Sequence, residues 1–128
     1  MSEGSGYSDR VLELFRALPG AGNVKSGEGI VVCGEAIALD QGAWVRFEAR
    51  MDGERVVDSA FRAFGCPHTL AAAALVTEML RTRPVADALA VGAAGISREL
   101  AAPATKMGRL LVVEDALRAL IAGLPRVQ

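Results

Sequence analysis

Phe64-Gly65-Cys66-Pro67-His68-Thr69-Leu70 divides the chain into two halves of different periodicity. Before it, apolar residues alternate with polar ones. After it, they recur at helical spacing. A strand is expected to end at Phe64 and a helix to begin at Pro67, since proline is favoured at the first helical position. Cys66 then falls at the N-cap, facing unpaired backbone N–H groups and the positive end of the helix dipole. Such a place favours thiolate, the form that ligates metals and attacks sulfur. A small, buried packing cysteine is the plain alternative.

Upstream lie three expected strands. Ile30–Ala38 is β-branched and apolar, interrupted by Gly34 and Glu35. Leu39-Asp40-Gln41-Gly42 reads as a turn. Residues 43–51 alternate, with Val45, Phe47, Ala49 and Met51 on one face and Arg46, Glu48 and Arg50 on the other. Asp52-Gly53 is a hairpin signal. Arg55–Phe64 forms the third strand, with Val57, Ser59, Phe61 and Ala63 sharing a face. The simplest arrangement is a three-strand meander with a polar outer face, and Trp44 and Phe64 read as core or sheet-face packing.

At the N-terminal end, Val11, Leu14, Phe15 and Leu18 fall on one helical face, with Ser8 as its N-cap. Residues 1–6 read as a disordered leader, and 7–128 as a single domain. Downstream, 67–83 is an Ala-rich helix, apolar almost all round and so expected to be buried. Pro84 restarts a shorter helix through Val91, which Gly92 and Gly95 break. Ser97-Arg98-Glu99-Leu100 is a capped turn. Pro103 leads into the last helix, striped by Met107, Leu110, Leu111, Leu117, Leu120 and Ile121. Strands followed by helices give an α+β class: an N-terminal helix, a three-stranded antiparallel sheet, and a helical C-terminal half packed on one face.

Composition narrows the function. The chain has 128 residues, 52% hydrophobic and only 5% aromatic, so its core is built from small aliphatic side chains. Acids and bases nearly balance, at a formal net charge of −1, and no basic patch suits nucleic acid. The apolar runs at 70–76 and 86–94 are too short or interrupted to span a bilayer. Two cysteines make no disulfide framework, and the N-terminus lacks the apolar core of a signal peptide, so a cytoplasmic protein with reduced thiols is expected.

Taken in order, several segments resemble the IscU, SufU and NifU N-terminal iron–sulfur cluster scaffold family. Tyr7-Ser8-Asp9-Arg10-Val11 is similar to the family's opening helix. The run from Val57 to Cys66 is similar to its third strand and second ligand cysteine. Leu75-Val76-Thr77-Glu78, Glu99-Leu100, Pro103, Lys106 and Glu114-Asp115-Ala116 follow in matching order and spacing.

The resemblance implies an α+β scaffold, not an enzyme, that holds a cluster or a zinc ion with three cysteines plus an Asp or His. Thiolates suit both. Only the second cysteine is kept, as Cys66. The first falls at Leu39 or Asp40, with Asp40 as a substitute ligand; an alternative register sets it at Cys33. The family's His-Cys pair falls on Gly108 and Arg109, neither an ordinary ligand. Arg109 would repel a metal cation and lower the Cys66 thiol pKa. Cys66, Asp40 and His68 would together hold mononuclear iron or zinc; a full iron–sulfur cluster wants more thiolates. A second copy of the chain in a homo-oligomer could donate the missing ligands.

The resemblance also implies a cysteine desulfurase as partner. An Hsp70-type chaperone is implied through Ala102-Pro103-Ala104-Thr105-Lys106, where the Pro103 and Lys106 positions of the family's recognition segment remain. Three readings follow. The first is a scaffold that receives iron or sulfur at Cys66 and passes it on. The second is a degenerate scaffold fold serving as an interaction or regulatory module, or as a persulfide acceptor. The third is a thiol enzyme pairing Cys66 with His68.

Overall fold

The computed structural model describes residues 7–25 and 27–124; the leader expected at 1–6 lies outside them. Helix α1 spans Asp9–Ala17, and the Ser8 side chain caps it by accepting from the Val11 N–H. Val11 and Leu14 are buried as the spacing requires, whereas Phe15, at the margin of that stripe, is 37% exposed.

Strands β1 (Ile30–Ala38), β2 (Ala43–Asp52) and β3 (Arg55–Phe64) form one antiparallel sheet in the order β1-β2-β3. A 3-10 turn, Leu39–Gln41, joins the first two. The alternating residues Val45, Phe47, Ala49 and Met51 of β2 all face the core. In β3 the alternation breaks. A register irregularity at Arg50/Met51 puts Val56 inside, 8% exposed, and turns Val57 out, 38% exposed. An unpaired extra residue exchanges the faces of a strand, because the side-chain period is two.

Helix α2 (Pro67–Thr82) packs on β3 and β2, and α4 (Met107–Ala122) on β1 and β2, so both cover the same face. Buried Ala71, Ala72, Ala73 and Ala74 let α2 lie close among its neighbours. On β1, α4 approaches closer still: a Cβ on Gly34 would stand 2.1 Å from the Leu120 backbone nitrogen. The interruption at Gly34 is therefore a seat for α4. Within α4 the buried residues are Leu110, Val112, Val113, Ala116, Leu117 and Leu120, while Leu111 is 45% exposed.

The break expected at Gly92 is present: its backbone is non-helical, and α3 (Val85–Leu100) consists of two helical halves that meet there at a kink, the second resuming at once rather than after Gly95. Gly92 adopts φ 58°, which a residue without Cβ tolerates. The Glu114 carboxylate on α4 then accepts a hydrogen bond from the Ala93 N–H at 2.9 Å, capping the second half. Gly95 stays helical. The outer face of the sheet is not uniformly polar. Ile37 pairs with Trp44 and Trp44 with Phe64, forming an apolar row in which Phe64 is 73% exposed rather than packed.

Candidate functional site

Three chain segments meet at the end of the sheet where Phe64 stops: the Leu39–Gln41 turn, the N-terminus of α2, and the N-terminus of α4. Pro67 starts α2 because its missing N–H costs nothing at that position. Cys66 is therefore the N-cap, with extended backbone and a half-buried thiol. Its sulfur lies 3.7 Å from the Thr69 hydroxyl. Thr69 packs tightly on Gly65, where a Cβ would meet its side chain at 2.9 Å.

Burial pushes the Cys66 thiol up. The Thr69 N–H and hydroxyl, the His68 N–H and the Arg109 guanidinium together outweigh it, and the net pKa lies below the ordinary thiol value. Arg109, in the first turn of α4, thus lies near enough for its charge to act on the thiol. Next to it, Gly108 lies against the Gln41 side chain, 2.8 Å from where a Cβ would be, which joins the Asp40 turn to the same corner. Asp40 is exposed, its carboxylate 3.5 Å from the Gln41 amide nitrogen.

His68 sits at the second position of α2 but is only 1% exposed. Its ring lies tilted against Tyr7, centroids 4.9 Å apart, and neither ring nitrogen has a hydrogen-bond partner among the described residues. Burial, then the charges of Lys106 and Arg109, hold its pKa below the usual histidine range, so the imidazole is neutral at pH 7.

Cys33 is exposed in the middle of β1, opposite Glu48. It is four residues from Ile37, the start of the row that leads to Phe64, or roughly 13 Å along the strand. The fold does not bring it to Cys66. Pro103 is exposed at the start of a 3-10 turn, Ala104–Lys106, and Lys106 is half-buried, with its charge acting on His68.

Among the described residues, no three His, Cys, Asp or Glu side chains stand close enough to hold a metal ion. The Cys66–Asp40–His68 trio is not assembled as a mononuclear centre. The corner is one polarised thiol among two cations and a helix N-terminus, a setting for anionic sulfur rather than for a bare cation. Thr69 escaped the sequence reading, although its place three residues after an N-cap marks it as a side chain that can reach back.

An α+β domain whose sheet runs into a cysteine opening the central helix defines a thiol-bearing scaffold. The family model described as NifU-like N terminal domain matches residues 6–127. The IscU scaffold protein of Rickettsia prowazekii is 31% identical, covering 91% of this chain and 89% of that protein. The Escherichia coli K12 IscU scaffold is 26% identical, covering 91% of each. NifU of Nostoc sp. PCC 7120 is 31% identical, but the chain spans only 40% of its length.

In fold, the chain is similar to the protein of Fervidobacterium islandicum AW-1 described as a SUF-system iron–sulfur cluster assembly scaffold. The TM-score is 0.73 at 17% identity, covering 93% of this chain and 99% of that one. The chain belongs to the IscU/SufU/NifU family of iron–sulfur cluster assembly scaffolds. No helix among the described residues is long and apolar enough to cross a membrane.

Proposed function

We propose that the chain serves iron–sulfur cluster assembly as a scaffold whose loading site is centred on Cys66, with a cysteine desulfurase as sulfur donor. The observation that carries this is the placement of Cys66 at the N-cap of α2, where Thr69, the His68 N–H and Arg109 favour its thiolate. The thiolate attacks the outer sulfur of a persulfide on the donor. A new S–S bond forms at Cys66, the donor's own S–S bond breaks, and the donor cysteine leaves as thiolate. Arg109 and the helix N-terminus favour the negative charge carried by the new persulfide.

Iron and the cluster are cargo. One thiolate is too few for a cluster held by thiolates, so further ligands come from a second copy of the chain or from the partner. Asp40, on the turn whose Gln41 side chain lies against Gly108, is the carboxylate to recruit. Pro103 and Lys106 keep two positions of the chaperone segment and are the place to look for an Hsp70-type partner.

Anaerobic reconstitution with iron(II) and a sulfide source tests the reading, on this protein and on Cys66→Ser in parallel. Iron and acid-labile sulfide in equal amounts, lost in the variant, support it. Metal and sulfide absent from both, together with no mass gain of one sulfur on Cys66 after exposure to a loaded desulfurase, overturn it.

A further inference from the structure

The free edge of β3 is closed off in two places and open in a third. Phe61 points its N–H and C=O outward, and both are taken: its N–H donates to the Gly20 carbonyl at 2.9 Å, and its carbonyl accepts from the Gly22 N–H at 2.8 Å. Two residues earlier, the Ser59 carbonyl accepts from the Arg81 guanidinium. Two residues later comes Ala63. Backbone groups alternate in direction along an antiparallel strand, so Ala63 points its N–H and C=O to the same edge. No loop or side chain reaches them among the described residues, and Ala63 is only partly buried.

At that point the surface is hollow. A cavity of about 440 Å³ is lined by Leu18, Ala21, Trp44, Phe64 and Leu70, with Ala63 itself in its wall. The one charge on its lining is the exposed guanidinium of Arg62, which has no carboxylate partner among the described residues. An open strand edge beside an apolar hollow fits an extended peptide, with the backbone satisfying the edge and a side chain filling the hollow. The unpaired cation selects a carboxylate on that peptide.

We propose that the Ala63 edge of β3 is a docking site for an extended, apolar and acidic segment of a partner polypeptide, added to the sheet as a short fourth strand. Cys66 follows Ala63 by three residues, about 10 Å of extended chain, so a docked segment holds its owner next to the thiol. The site goes beyond the loading reaction and does not depend on what Cys66 carries.

The probe is the blocked pentapeptide EVLVE, titrated into the isotopically labelled full chain and followed by amide NMR. In the free protein the Ala63 amide exchanges with solvent faster than that of Phe61. The peptide shifts the Ala63 amide and Leu70 methyl signals and slows Ala63 exchange. Ala63→Pro, which removes an N–H the sheet does not use, abolishes these shifts and leaves the far-UV spectrum unchanged. Arg62→Glu, on an exposed side chain, weakens EVLVE about threefold and reverses the preference toward KVLVK; it carries the test if the proline variant does not fold. An Ala63 amide already as protected as Phe61, shifts confined to another surface, or unchanged titration in both variants would overturn the proposal.

Discussion

Replacing Gly34 with alanine should disturb both the fold and the site. The added Cβ would stand 2.1 Å from the Leu120 nitrogen and 2.6 Å from the Ala119 carbonyl carbon and the Leu120 Cα. Ordinary contact begins near 3.4 Å, so helix α4 must lift by about 1.3 Å. All three atoms are backbone, and no rotamer change relieves them. Over-packing of this kind costs typically 1–3 kcal/mol; a rigid helix backbone places the expected loss at about 3 kcal/mol. That is a large part of the stability of a domain of this size, and it lowers the melting temperature by roughly 10 °C.

Urea unfolding followed by far-UV circular dichroism measures it, with Gly53→Asn as control. Gly53 has φ 62° but nothing within 4 Å of a Cβ, so that variant should remain close to the parent. Because α4 carries Arg109, the Gly34→Ala variant should also raise the pH at which Cys66 becomes reactive. A loss below 1 kcal/mol with unchanged Cys66 reactivity would refute the close seating of α4 on β1 and its role in building the corner.

On a Cys33→Ser background, the alkylation rate of Cys66 should rise with pH at a midpoint below the ordinary thiol value; Thr69→Val should raise that midpoint, and Arg109→Gln should raise it by a smaller step. His68 is held below its usual pKa by burial and by Lys106 and Arg109, so the unfolded chain binds the proton more readily than the folded one. Stability should therefore fall as pH drops below the unfolded histidine value of about 6.5, and His68→Leu should flatten that decline in chemical unfolding. Ser8→Ala removes the cap on α1 and the bond from the Ser8 hydroxyl to the Leu100 carbonyl, and should cost about 1–2 kcal/mol by the same measurement.

The elements were legible in the chain because each is announced locally. Ser8 before an i, i+3, i+4 stripe gives α1. Strict alternation gives β2 and its buried face, Asp52-Gly53 gives the hairpin, and Cys66-Pro67 gives the start of α2. Misreadings arose where a distant residue decides. Gly92 marks its break correctly, but the helix resumes at Ala93 rather than at Ser97, because Glu114, twenty-one residues beyond Ala93, caps the restarted turn. The inward side of β3 changes at an irregularity set by its pairing with β2, which no periodicity within β3 reveals.

The sequence by itself determined an α+β scaffold domain with a single polarised cysteine at a helix N-terminus, since short-range backbone preference and side-chain period fix such elements. Tertiary structure alone decided what surrounds that cysteine. Thr69 reaches the sulfur, while His68 turns inward against Tyr7 and Cys33 stays out on β1. It also left Phe64 exposed and the Ala63 edge of β3 open. These outcomes depend on how three chain segments, separated by dozens of residues, pack at one end of the sheet, and that packing has no signature in any single stretch of the chain.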